Sequence, residues 1–385
     1  MVVGPVPGQK RDQNHPSTST PTLDGWLWAR FRTRSDAGTI RQRERRRPTV
    51  GGVTGSSPDP RPEIGPRDEI NPRPETERPL ASGARLEIIE PGALALIEDR
   101  GRPGYLEVGV GHSGAADRAA HALGARLLGN DPDTAAIEVT MGGLLARAHG
   151  RLHLALTGAP APATIDDRPV AHATRLTLHD GQLLRLATPT HGLRTYVSLR
   201  GGVDVTPVLG SRSTDTLSGI GPAPLQRGDL LRIGTDCADL PAADHAPHPA
   251  PDPSGPVTLE IRPGPRAHWF DIDLIEEPGA DRTTTDHPTA TAPTWTVSDR
   301  LDRTGVRLTG TRPLERSTAY RSVELASEGM VPGAIQVPPS GEPVIFGVDH
   351  PVTGGYPVIA VVRDSHLDRV AQLRPGDTIR FAPAR

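Results

Sequence analysis

Two pairs of echoing segments constrain this fold more than any other feature. Leu86-Glu-Ile-Ile-Glu-Pro-Gly92 returns as Leu259-Glu-Ile-Arg-Pro-Gly264, and Arg227-Gly-Asp-Leu-Leu-Arg-Ile233 returns as Pro375-Gly-Asp-Thr-Ile-Arg-Phe381. The opening copies are strands that run into a Pro-Gly turn. The closing copies are a Gly-Asp turn feeding an alternating strand with an outward arginine. Asp180-Gly-Gln-Leu-Leu-Arg-Leu186 is a third, partial copy. Start and end signatures in the same order imply a duplicated β-domain, residues 86 to 234 and 257 to 383. Two copies are too few for a solenoid, so the expectation is two barrels side by side with a cleft between them.

The segments between these signatures agree. Ala93 to Asp99, Ile137 to Met141, Leu152 to Leu156, Thr174 to Leu178, Leu183 to Leu186 and Thr195 to Leu199 are short apolar runs, most of them separated by Gly- or Asp-containing turns. Such close spacing reads as barrel or sandwich rather than βαβ units. Gly and Pro number 42 each and aromatics only 3%, which suits short strands and tight turns. The fold class expected is mainly β: a first domain at 85–234, a linker at 235–256, and a second domain at 257–385. Residues 1–84 read as a disordered Pro/Arg-rich tail, because apolar residues are too sparse to offset ordering entropy. The basic run Arg41 to Arg47 within it is read as solvated.

Composition removes several function classes. A net charge of −3 argues against a nucleic-acid binder. Lys10 is the only lysine, which excludes a lysine Schiff base or a biotinyl-lysine in the folded part. Cys237, the only cysteine, allows no internal disulfide and no thiolate zinc cluster. His245 and His248 have metal-like spacing, but the surrounding prolines forbid the helix that would bring them together. No run is long and apolar enough for a membrane span, and the N-terminus lacks a signal core, so the expected compartment is the cytoplasm.

The stretch Asp99 to Glu138 concentrates the chemistry-bearing residues. Five glycines (101, 104, 109, 111 and 114) stand among Arg102, His112, Ser113 and Asp117. The clearest helix of the chain follows, with Ala119, Ala120, Leu123, Leu127 and Leu128 at helical spacing and Gly129-Asn130 as the stop. Asp117 stands near its positive N-terminal end. Gly109-x-Gly111-x-x-Gly114, between a strand candidate at Tyr105–Val110 and that helix, matches the dinucleotide-binding fingerprint literally. The chain beyond Glu138 has almost no helical period, so the βα steps that the fingerprint needs are missing.

Further on, Gly201 to Thr214 is a long polar loop holding Asp204, Ser211, Arg212 and Ser213, costly to order for structure alone. Ser298 to Arg307 carries three arginines and two aspartates, either a solvated hairpin or an anion-holding loop. Gln336 lies in an apolar strand whose neighbours must satisfy its amide. Asp349 to Pro357 is a turn with Gly354, Gly355 and Tyr356, the tyrosine reading equally as packed or as ligand contact.

As a set, these stretches resemble the family of 5-oxoprolinase C subunits, also described as allophanate hydrolase subunit 2 or biotin-dependent carboxyltransferase-family proteins. The pieces are Asp99-x-Gly-Arg-x-Gly104, Gly109-Val-x-x-Ser-Gly-Ala-x-Asp117, Gly129-Asn130, Ala135-Ala-Ile-Glu138, Leu156-Thr-Gly-Ala159, Gly201-Gly-x-Asp204, Leu209-Gly-Ser-Arg-Ser-Thr214, Asp299-Arg300 with Gly305, Gln336-Val-Pro-Pro339 and Gly354-Gly-Tyr-Pro357. They cover roughly residues 85 to 383 and leave the N-terminal tail aside. The resemblance implies two tandem cyclophilin-like β-barrels. It also implies work beside the B and A subunits of 5-oxoprolinase, hydrolysing 5-oxo-L-proline to L-glutamate with ATP and its accompanying Mg. Alternatives from the same resemblance are a carboxyltransferase component, its biotin carried by a partner, and a non-catalytic partner of a kinase-inhibitor protein. This chain departs from the family pattern at Glu342, where glutamine is usual, and at Pro351-Val352, where Gln-Thr is usual.

For such chemistry Arg102, Arg212 and Arg300 are the candidates for holding anions. Asp117 and Glu138 are candidates for a base or a magnesium ligand, a helix-start carboxylate being the competing reading of Asp117. Ser113, Asn130, Ser211, Ser213, Gln336, Gly354, Gly355 and Tyr356 are the candidate binding residues. No G-x-x-x-x-G-K-[ST] loop occurs, so any ATP site uses another arrangement.

Overall fold

The structure, a computed structural model, describes residues 83–247, 255–270 and 294–384. The tail expected at 1–84, with its basic run and Lys10, therefore lies almost wholly outside the described residues, as does His248. The first half contains β1 (Arg85–Pro91), β2 (Leu94–Glu98), α1 (Arg118–Leu128), β3 (Ala136–Thr140), β4 (Leu144–His149), β5 (Leu152–Gly158), β6 (Ala163–Ile165), β7 (Arg168–Val170), β8 (Arg175–Leu178), β9 (Leu183–Leu186), β10 (Arg194–Leu199) and β11 (Leu230–Arg232). They form two antiparallel sheets, β11-β1-β4-β9-β6-β7 and β2-β3-β10-β5-β8. Leu86, Ile88, Leu144, Leu154, Leu184 and Val197 meet between them in one core. The alternation of β4 buries one face only, whereas β10 is buried throughout because α1 covers its outer side. Close approach of α1 requires Gly124, where a Cβ would fall 2.2 Å from the Ser198 hydroxyl. The Thr157 hydroxyl donates to Ala120 O at 2.7 Å across the same contact. At the sheet edge, Arg168 and Pro169 in β7 blunt further strand pairing.

Helix α1 starts and stops where its sequence dictates. Asp117 is the N-cap, its carboxylate accepting from Ala120 N at 2.9 Å, and Gly129 ends the helix in the left-handed region at φ 65°. The strand expected at Tyr105–Val110 is not formed. Leu106–Val108 make a short 3-10 turn closed by Gly109 at φ 81°, and the positive φ at Gly104 breaks extended backbone just before it. The Gly109–Gly114 match is thus a loop in an all-antiparallel half, with no βαβ unit behind it. Strands β4, β6 and β7 carry no expectation from sequence.

The second half comprises β12 (Val257–Pro263), β13 (Trp295–Leu301), β14 (Gly305–Thr309), β15 (Glu328–Gly329), β16 (Ala334–Gln336), β17 (Val344–Phe346), β18 (Thr353–Gly354), β19 (Val358–Val362), α2 (Leu367–Ala371) and β20 (Thr378–Pro383). Seven of these close a barrel in the order β12-β19-β16-β17-β14-β13-β20 around Leu259, Trp295, Leu308, Ile335, Ile345 and Phe381. The echoing signatures do become neighbours in both halves. Their sense differs: β1 pairs β11 antiparallel, while β12 pairs β20 parallel. Residues 235–247 run along the first half, with Ala238 N donating to Gly129 O and Ala246 N to Ala173 O.

Candidate active site between the two halves

Asp99, immediately after β2, organises the first group. Its carboxylate accepts from Gly101 N (2.8 Å), from the hydroxyls of Ser211 and Ser213 (both 2.6 Å) and from Arg212 N (2.5 Å). The polar loop before Thr214 is therefore ordered by a buried carboxylate that follows β2. Ser211, Ser213 and the Arg212 backbone spend their polarity on this framework, and the Arg212 Nε donates to Val205 O. Arg102 lies beside it, 1% exposed. Its Nη2 donates to Ser213 O, while Nε and Nη1 have no partner among the described residues. A buried guanidinium with open donors is costly unless an anion answers it.

Arg303 organises the second group and joins the halves. From the turn between β13 and β14 it reaches Asp349 (2.8 Å) in its own half. Across the junction it reaches Glu138 (2.7 Å), Glu98 (3.3 Å) and the carbonyl of Gly114 (2.6 Å). Glu138 also faces Arg194 at 3.3 Å and accepts from Tyr196 OH (2.7 Å) and Ala116 N (3.0 Å). Asp349 accepts from the Ser113 hydroxyl (2.7 Å) and from both N–H and O–H of Thr216.

Three carboxylates against two arginines cannot all be charged in a dry site. Burial pushes Glu98 well above the carboxylate range, Arg303 opposing too weakly and the charges of Glu138 and Asp349 adding to the rise. Burial also acts on Glu138, but Arg303 and Arg194 outweigh it and hold this group below its ordinary value. Burial acts on Asp349 too, and Arg303 foremost overcomes it and holds that carboxyl low. Burial thus favours the proton on Glu98, while Arg303 favours the ionised forms of Glu138 and Asp349.

Asp117 serves both halves. Besides capping α1 it accepts from Gln372 Nε2 at 2.7 Å, and Gln372 Oε1 accepts from Leu193 N and Arg194 N at the start of β10. Arg118, the next residue, pairs with Asp364 at 3.1 Å and Asp368 at 3.7 Å. Burial raises Asp117 to about 6, against the Gln372 and Ala120 hydrogen bonds. Its folded value lies above the ordinary 3.8, so the folded state binds the proton more tightly. This contribution is fully present below pH ~3.8 and is lost as pH rises through ~6, on the order of 3 kcal/mol at most. Wild type is expected to lose stability relative to Asp117→Ser, which keeps a cap, between pH ~4 and ~7. Urea denaturation of both at each pH reads this, and a flat difference contradicts it.

The sequence candidates thus fall into separate places. Asp117, Glu138 and Ser113 belong to the junction; Arg102, Ser211, Arg212 and Ser213 surround Asp99. Asn130 is absorbed by framework, accepting from Gly201 N and donating to Leu199 O. Arg300 is apart on the second barrel, 2.8 Å from Glu342, so the glutamate in place of the usual glutamine is its counter-ion. Gln336 donates to Tyr356 O, and a Cβ on Gly354 would fall 2.8 Å from its amide nitrogen. With Gly355 and the half-exposed Tyr356 they form a third patch. The sequence does not single out Arg303, Asp349, Glu98, Arg194, Tyr196 or Gln372. Arg303 stands in the charged run with Arg300, and only burial separates the two.

The chain as a whole is similar to known proteins. A family model, carboxyltransferase domain, subdomain A and B, matches residues 108–383, and the chain belongs to that family. It is 36% identical over 299 residues to the C subunit of 5-oxoprolinase from Escherichia coli strain K12, covering 77% of this chain and 90% of that protein. It is 33% identical over 324 residues to urea amidolyase of Saccharomyces cerevisiae, covering 77% of this chain but 16% of the relative. Among solved structures, the K. lactis urea amidolyase superposes with TM-score 0.64 at 29% identity, over 78% of this chain and 19% of that one.

Proposed function

We propose that this chain is the C subunit of an ATP-dependent 5-oxoprolinase that hydrolyses 5-oxo-L-proline to L-glutamate together with B and A subunits. The observation that carries the reading is coverage. The match spans 90% of a protein that is itself a 5-oxoprolinase component, against a small fraction of the urea amidolyases. The lactam is a stable amide, so transfer of the ATP γ-phosphoryl group to its oxygen activates the ring carbon. Water adds there, collapse breaks the C–N bond to give a free amine and the γ-glutamyl phosphate, and a second water releases phosphate to leave L-glutamate. Arg102, with two open buried donors beside Ser213 O and Gly221, suits a phosphate or developing oxyanion. Asp117, raised by burial to about 6, suits proton exchange with the attacking water. Glu138, held by Arg303, Arg194, Tyr196 and Ala116 N, positions the two arginines instead.

The fit to ATP is partial. Among the described residues there is no phosphate-cradling lysine, and Arg102 offers one anion contact rather than a triphosphate clamp. The nucleotide, with Mg, is accordingly assigned to a site completed by the B component. No helix among the described residues is long and apolar enough to cross a membrane, and a cytoplasmic complex is part of the proposal. The second reading, a carboxyltransferase component receiving carboxyl from a partner's biotin, is favoured by the urea amidolyase superposition.

The test is glutamate release from 5-oxo-L-proline and ATP by the chain co-expressed with B and A homologues, and by the chain alone. Turnover is expected only in the complex, and Arg102→Gln is expected to lower it by ~100-fold without unfolding. An intact complex that consumes neither ATP nor 5-oxo-L-proline would sink this reading in favour of the biotin-dependent one.

A further inference from the structure

A groove of about 420 Å³ lies on the second barrel. Val331, Pro332, Val362 and Leu367 line it together with Arg262 and Arg363. Gly333 shapes it: at φ 79° its Cβ would fall 2.7 Å from Leu367 and 3.2 Å from Val362, so this turn can close down on them only without a side chain. Pro332 and Leu367 are shared with a smaller pocket of about 30 Å³ that ends on Arg194 and Arg303.

The charges in the groove do not balance. Asp364, the one acidic residue lining it, is neutralised from the first half by Arg118. Arg363 is engaged by Glu260 at 2.6 Å. The Arg262 guanidinium makes no ion pair and no hydrogen bond among the described residues, and Val331, which also lines the groove, is 50% exposed. What remains is one unmatched guanidinium in a groove lined by aliphatic side chains. We propose that this groove binds a compact carboxylate with a hydrocarbon body, Arg262 taking the carboxylate and Val331, Val362 and Leu367 the hydrocarbon face. The choice of ring compound as ligand rests on the 5-oxoprolinase reading. The groove itself does not.

Binding is read on the full chain, without partners or ATP, from methyl carbon–proton shifts of Val331, Val362 and Leu367. The probes are 5-oxo-L-proline, cyclopentanecarboxylate and 2-pyrrolidinone, which lacks the carboxylate. Both carboxylates should move these resonances and 2-pyrrolidinone should not, and Arg262→Gln should weaken the carboxylates by about tenfold or more. Arg262 is exposed and unpaired, so the variant folds as the parent does. Absence of shifts with both carboxylates, equal binding of 2-pyrrolidinone, or indifference to Arg262→Gln overturns the proposal. Glutamate release by the complex is scored separately: groove binding without turnover retires the oxoprolinase reading, and turnover without groove binding retires the groove.

Discussion

Arg303→Met is expected to cost about 3–5 kcal/mol of folding free energy, among the largest single-residue effects in the chain. The loss is not that of one ion pair. Removing this guanidinium leaves Glu138 and Asp349 buried with fewer partners, Glu98 beside them, and the Gly114 carbonyl without its donor. The same charge assignment makes a sharper claim about the acids. Burial favours a neutral Glu98, so Glu98→Gln should change stability by less than about 1 kcal/mol. Glu138→Gln, which strands Arg194 and half of Arg303, should cost about 3 kcal/mol or more. Chemical denaturation of the three variants at pH ~7 decides it. Equal losses for the two glutamates would mean that the proton is not on Glu98.

The second large effect is expected at Asp99. Asp99→Ala removes the acceptor for two hydroxyls and two backbone N–H groups gathered around one buried carboxylate. A loss of about 3 kcal/mol or more is expected, and Asp99→Asn should recover only part of it because one oxygen becomes a donor. Hydrogen exchange locates the damage: amides of Arg212 to Thr214 should lose protection before those of β5 or β10. Uniform loss of protection would show instead that Asp99 supports the whole half.

Local physics makes much of the fold readable. Helix α1 can be bounded to within a residue because Asp117 and Gly129 are strong end signals with apolar spacing between them. Strand β9 is legible to its ends because Asp180-Gly181 fixes the turn before it. The failure at Tyr105–Val110 has a local cause as well: β-type residues are outvoted by the backbone freedom of Gly104 and Gly109. The site divides differently. Ser211, Ser213 and Asp117 stand out in the sequence as polar residues of a costly loop and of a helix start, and the structure spends the two serine hydroxyls on Asp99 and makes Asp117 the cap of α1. Arg303 and Gln372 do not stand out, since each acts on residues far away in sequence, and Gln372 reaches Asp117 over a separation of 255 residues. No pattern around Arg303 distinguishes it from Arg300, which faces solvent in the same charged run.

The opposite sense of the closing strands bears on how such a chain avoids errors while folding. Tandem copies of one domain are prone to exchange equivalent segments, the newly made second copy capturing a slot in the first. Here β11 enters the slot beside β1 with perpendicular, alternately spaced hydrogen bonds, whereas β20 offers β12 the slanted, even pattern of a parallel pair. Either strand placed in the other's slot would run the wrong way along it. Its Gly-Asp turn would then sit at the wrong end of the barrel. The two halves carry similar words at their boundaries but a different grammar of assembly.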